Sequence, residues 1–166
     1  MTADQAQAVA AALGQQLQSE WMTTVKVIEA IPEGNKNWKP EPKSRSAWEL
    51  AVHLAESDVW FLESVAKQQF GKPEPSGAQT VAELAAWYKT HMPAKLEHVL
   101  AMEGSRLAPI VDFYGMKLPN AQYLVFCAVH GAHHRGQLAA YLRPAGGKVP
   151  SIYGGSADET WQGPAS

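Results

Sequence analysis

The chain has 166 residues, 46% of them hydrophobic, a formal charge of -2 and a pI near 6.3, which allows one compact domain over 1–166 with its own core. Without a Lys/Arg run, phosphate-backbone binding is not expected. No apolar stretch approaches the roughly 20 residues of a membrane span, and MTADQAQAVAAALGQQL lacks the basic and apolar parts of a secretory leader. Cys127 is the only cysteine, so no internal disulfide can form and a cytoplasmic location is expected.

Helical periodicity begins at once. Thr2 with Gln5 forms a candidate capping box, and Val9, Leu13, Leu17, Trp21, Val25 and Ile28 make one stripe, predicting a helix over Ala3–Ala30 that stops before Pro32 and Gly34. The connection from Ala30 to Arg45, with Trp38, is too long for a tight helical hairpin. A second box, Ser46 with Glu49, opens a helix over Ala47–Phe70 closed by Gly71 and Pro73. His53 shares a stripe there with Leu50, Ser57, Trp60 and Ser64, all within about 60° on the wheel, and we read it as the inward face.

Thr80 with Glu83 opens a third helix, Val81–Met102, which Pro93 is expected to kink or divide; His91 and His98 on it read as packing or surface residues. The connection Gly104–Leu118 alternates apolar residues around Leu107, Ile110, Val111 and Phe113 and predicts a brief strand pairing. The fourth helix opens with Pro119 in its first turn and ends before Pro144 and the pair Gly146-Gly147. The tail KVPSIYGGSADETWQGPAS has no period and is expected to pack against the bundle mouth. These elements define an all-α four-helix bundle with long interhelix connections and an irregular C-terminal tail.

The fourth helix carries HGAHHRGQ, His130 to Gln137. His130 and His134 lie about 40° apart and one turn apart, so both imidazoles can address one ion. A zincin helix needs Glu directly after the first His, and that position is Gly131. A zinc finger needs paired cysteines, and a di-iron bundle needs Glu-x-x-His on two helices; neither is present. A His pair on a buried helix can also be hydrogen-bonded core, as can a lone His such as His53. Together, three His from two helices can fill three corners of a tetrahedron and leave the fourth open, the catalytic rather than the structural pattern.

The strings RSAWELAVHLAESDVWFL (45–62), HGAHHRGQLAAYLRPAGG (130–147) and KVPSIYGGSADE resemble the DinB/YfiT-like four-helix-bundle metalloproteins, over nearly the whole chain. The resemblance implies a metal triad of one second-helix His and the first and last positions of H-x-x-x-H on the last helix, here His53, His130 and His134. It also implies a metal-dependent transferase acting with a low-molecular-weight thiol such as bacillithiol or mycothiol. Pro93 departs from the simplest pattern of the family.

Around the triad, His133 is about 60° beyond His130 and 100° from His134 and reads as an orienting or packing residue. Tyr123 and Gln137 lie on the ligand face, each able to orient an imidazole or meet substrate. Cys127 reads as a small core hydrophobe near the site and not a ligand. Glu56 and Ser57 appear as the only nearby second-helix groups able to hold a proton, with Glu56 and Gln137 the candidate catalytic residues. Arg135 points about 100° from His134 and reads as structural. Small residues at Gly131, Ala132, Gly136, Ala139 and Ala140 would let a neighbouring helix approach, in the same chain or across a homodimer.

Imidazole ligands suit zinc, nickel, copper and iron, with zinc or nickel expected. Three neutral ligands leave the ion its full charge, so its open position favours a thiolate or an acidified water. Three functions follow for a small-molecule substrate: thiol transfer, hydrolysis assisted by Glu56 or Gln137, and a non-catalytic metal- or ligand-binding module of the stress response.

Overall fold

A computed structural model of the chain describes residues 1–161. Four long helices, α1 (Ala3–Glu29), α2 (Ala47–Lys67), α3 (Val81–Leu100) and, after the single turn α4 (Gly104–Leu107) and the hairpin β1 (Ile110–Phe113) and β2 (Met116–Pro119), α5 (Tyr123–Leu142), enclose one core. Capping boxes at Thr2, Ser46 and Thr80 start α1, α2 and α3 as expected, each with both reciprocal hydrogen bonds made.

Around the bundle the order is α1, α3, α2, α5, so the sequential neighbours α1 and α2 sit on a diagonal. The 30–46 connection must therefore cross an end of the bundle, which is why it cannot be short. It is pinned there by Asn35 Nδ2 donating to Ala145 O (2.9 Å) and by Trp38 packing edge-on against Tyr141.

Several boundaries differ from expectation. α2 stops at Lys67 because Gln68 adopts a left-handed conformation, φ 55°, a cap that glycine usually supplies. α3 runs unbroken through Pro93. α5 begins four residues beyond Pro119, which instead ends β2 opposite Ile110. The expected strand pairing is present as an antiparallel hairpin turned at Tyr114 and Gly115, φ 50° and 91°, the double left-handed geometry of a two-residue turn.

The buried face of α1 is centred on Ala6, Ala10, Gly14 and Leu17, while Val9, Leu13 and Trp21 lie at its margins. Small residues win that face because α3 comes so close: a Cβ on Gly14 would sit 2.2 Å from Leu100 Cδ2. The tail packs along α1 and α5. Val149 and Ile152 rest on the core, Tyr153 reaches Glu20 and Arg135, and Asp158 accepts from Arg143 Nε and Val149 N. Residues 162–166 of the tail lie outside the described residues.

Candidate metal centre

Helices α2 and α5 lie side by side and antiparallel: Val65, late in α2, accepts from Asn120 just before α5, while His53, early in α2, meets His130. That seam brings His53, His130 and His134 together. The Nε2 atoms of His53 and His130 are 3.1 Å apart, and one ligand atom from each of the three residues lies within 4.8 Å of the others. Tetrahedral Zn–N bonds of about 2.0–2.1 Å place neighbouring nitrogens about 3.3–3.4 Å apart, so the donor set fits a divalent transition ion. Among the described residues it is the only such cluster of three or more His, Cys, Asp or Glu.

Each imidazole has a polar neighbour for its other nitrogen. His53 Nδ1 is 3.3 Å from Ser57 Oγ, and His134 Nδ1 is 3.1 Å from Gln137 Oε1. His130 Nδ1 faces Asp58 Oδ1 at 3.7 Å. Where Nδ1 is hydrogen-bonded, as in His53 and His134, Nε2 is the nitrogen left for an ion, and the ring is held in one orientation.

The three histidines do converge, but the wheel misplaces their surroundings. The fully buried face of α2 runs through Leu54, Asp58, Phe61, Leu62 and Val65; His53 and Ser57 lie half-buried at its edge. The site therefore opens at the rim of the bundle and is not on its inward face. Trp60 turns away, its Nε1 donating to Gly71 O and its ring packing on Phe61, Phe70 and Phe113. Tyr123 is completely buried, its hydroxyl at 2.9 Å from Val111 O and 2.7 Å from Met116 O, so it clamps the hairpin and does not orient an imidazole.

Glu56 leaves the triad for the 71–80 segment, where its Oε1 accepts from both Ser76 N and Ser76 Oγ. Gln137 is exposed and bonded to His134. His133 is exposed, with its ring edge-on to His134. Cys127 is fully buried, its Sγ directed at Asp58 O (3.7 Å), and burial pushes its thiol well up.

Two neighbours escape the sequence reading. Asp58, 3% exposed, is a second-helix group able to hold a proton that the choice of Glu56 and Ser57 omitted. It lies about 140° from His53 on the wheel, outside the stripe that His53 shares with Leu50, Ser57, Trp60 and Ser64. Phe61 packs on His130 with ring centroids 5.7 Å apart. The one available signal was Gly131: a Cβ there would meet the Asp58 carboxylate at 3.3 and 3.4 Å, so a glycine on the ligand helix marks where α2 presses in.

Burial, with the Arg45 guanidinium and the other two imidazoles, lowers His53 to about 4, and burial also lowers His134 against its hydrogen bond to Gln137. Both rings are thus kept neutral, as ligands must be. An unfolded His takes up its proton near pH 6.5, where folded His53 does not. Below that pH the unfolded state binds more protons, and stability falls with acid until His53 itself titrates near 4. Chelated protein should lose urea resistance steadily between about pH 6.5 and 4.5, and His53→Gln should flatten that slope. Equal slopes in the two proteins would refute this assignment.

Four helices with three convergent imidazoles on one interhelical seam define a helical-bundle protein with a donor set that could hold a metal between facing helices. The DinB family model matches residues 5–163, and the chain belongs to the DinB family. It is 25% identical over 126 residues to the uncharacterized protein YjoA of Bacillus subtilis (strain 168), covering 74% of this chain and 82% of YjoA. A 45% identical stretch of 51 residues matches the uncharacterized protein YrdA of the same organism and spans only 30% of that protein. Among solved structures, a DinB-like protein of Bacillus cereus ATCC 10987 has a TM-score of 0.73 at 23% identity, covering 85% of this chain and 95% of that one. The Bacillus subtilis YjoA structure has a TM-score of 0.68 at 22% identity, covering 81% and 92%. These likenesses establish the fold. No helix among the described residues is long and apolar enough to cross a membrane.

Proposed function

We propose that this protein is a metal-dependent transferase that acts with a low-molecular-weight thiol, the metal held by His53, His130 and His134. The observation that carries this reading is the donor set itself: three convergent, part-buried imidazoles at the bundle rim with no carboxylate among the donors, two of them, His53 and His134, with a pKa lowered by burial. A divalent zinc or nickel ion there would supply Lewis acidity, which lowers the pKa of a coordinating thiol from near 8.5 to below neutrality.

The chain's own groups position and shield. Ser57 and Gln137 orient two ligand rings from the solvent side, and Phe61 screens one flank of His130. Arg45 adds positive charge beside His53 and His134 and favours an anionic reactant. In the transfer, the thiol sulfur supplies the electron pair for a new bond to an electrophilic carbon, that carbon's bond to its leaving group breaks, and the thiol proton passes to solvent. Hydrolysis is less well served, because Glu56 is committed to Ser76 and Gln137 to His134.

Calorimetry of metal-loaded protein with small bacterial thiols, in two buffers of different ionisation enthalpy, tests the reading. Thiol binding should release close to one proton in the loaded protein and none in His130→Ala. If no thiol binds with metal-dependent proton release, transfer gives way to hydrolysis or to simple binding.

A further inference from the structure

The polar seam behind the triad carries a second assignment, which rests on the reading that the triad holds a metal. We propose that Asp58 is the positioning residue of the centre: its Oδ1 accepts a hydrogen bond from Nδ1–H of His130 and so fixes Nε2 as the metal-facing nitrogen of that ring.

His53 and His134 find partners for Nδ1 near solvent. His130 does not: its Nδ1 is buried with no hydrogen-bond partner, and so is the Asp58 Oδ1 that faces it. Two unpartnered buried polar atoms, one donor and one acceptor, therefore oppose each other at 3.7 Å, about 0.7 Å beyond the usual N–H···O distance. A small rotation of one ring closes that gap. No other side chain or backbone group among the described residues is bonded to either atom, and leaving both unmade is costly.

The carboxylate is aimed from two other helices. Tyr88 of α3 donates its hydroxyl to Oδ2 at 2.9 Å, which leaves Oδ1 for His130. Gly131 of α5 gives the carboxylate room, since any Cβ there would crowd both oxygens at 3.3 and 3.4 Å. Behind it, Asp58, Thr24, Tyr88, Gly131 and Arg135 border a cavity of about 10 Å³, room for one water. Arg135 Nε is also without a protein partner, and a water in that space can join it to Asp58. Arg135 itself is matched by Glu20 and Thr24, so the seam runs from the metal ligand to a buried ion pair.

This arrangement decides which tautomer His130 adopts. With the proton on Nε2 the ring would present N–H to a cation; with it on Nδ1 the ring presents a lone pair, and the carboxylate behind raises its basicity. Ser57 and Gln137 do the same for the other two rings without a charge.

The test uses Zn(II) and Co(II) alone, with affinity measured by chelator competition on the full-length protein, Asp58→Ala, Asp58→Asn and Tyr88→Phe. Asp58→Ala should bind about 10- to 100-fold more weakly, the usual cost of losing such a partner. Asp58→Asn, which keeps size and an acceptor oxygen, should lose less, and should carry the test if the alanine variant does not fold. In metal-free protein, ¹⁵N spectra of the His130 ring should show Nδ1–H in the parent and a shift toward Nε2–H in Asp58→Ala or Asp58→Asn, a change that a purely packing role would not produce. Unchanged affinity and tautomer in a folded Asp58 variant, with the parent binding metal normally, would overturn this assignment alone. Failure of the parent to take up either metal would overturn the triad reading and this assignment together.

Discussion

Replacing His130 by alanine is expected to abolish metal binding at ion concentrations that saturate the parent protein, with the helical content kept. The ring is central to the cluster: its Nε2 lies 3.1 Å from that of His53, and its centroid is 4.4 Å from that of His134. Its loss leaves two imidazoles with no third donor to converge on the ion, so the penalty should exceed the roughly 10- to 100-fold typical of residues that only orient a ligand. His53→Ala and His134→Ala should behave alike. His133→Ala should retain full metal content, because His133 is exposed and outside the converging set. Elemental analysis of the four variants, purified without chelator, checks this; full occupancy in His130→Ala would move the site elsewhere.

The largest effect on stability is expected from Glu20→Ala. Arg135 is 2% exposed and its guanidinium is held by Glu20, Thr24 and Tyr153, while Tyr153 also donates to Glu20 at 2.9 Å. Taking away the one carboxylate in this group leaves a buried cation paired only by hydroxyls. Breaking a buried pair in this way costs about 3–5 kcal/mol. Glu20 is partly exposed and water can replace some of its contact, so the lower end, about 3 kcal/mol, is expected, lowering the melting temperature by roughly 6–12 °C for a chain of this size. Urea titrations of the two proteins give the difference directly; a change within 0.5 kcal/mol, the ordinary range of a surface substitution, would show that the pair contributes little.

Much of this was legible in the sequence where chemistry is local. Three hydroxyl-to-carboxyl or hydroxyl-to-amide boxes place three helix starts to the residue, because a cap depends on four neighbouring positions and nothing else. The convergence of the three histidines was legible because His130 and His134 are one turn apart and His53 completes a recognisable set. What failed depends on packing. A helical wheel fixes angle but not height: Trp60 and Tyr123 share an angular sector with the ligands, yet stand seven residues, about 10 Å, along the axis from His53 and His130, and belong to the hairpin region. Asp58 was missed because a carboxylate on a buried face has no periodicity signal until the partner helix is known. Gln68 could not be read as a helix stop because its left-handed conformation follows from no preference of glutamine.

The position of the triad on a seam has a thermodynamic consequence. His53 and His130 are 77 residues apart in the chain, and they tie two helices that otherwise hold together by packing. A loaded site is then a removable rivet across a long loop, available only to the folded chain. By mass action it adds about 2.7 kcal/mol when free metal is 100 times the dissociation constant, and about 1.4 kcal/mol for each further tenfold. The equilibrium stability of the folded protein would then track the free-metal level around it, and two preparations that differ only in residual metal would melt at different temperatures.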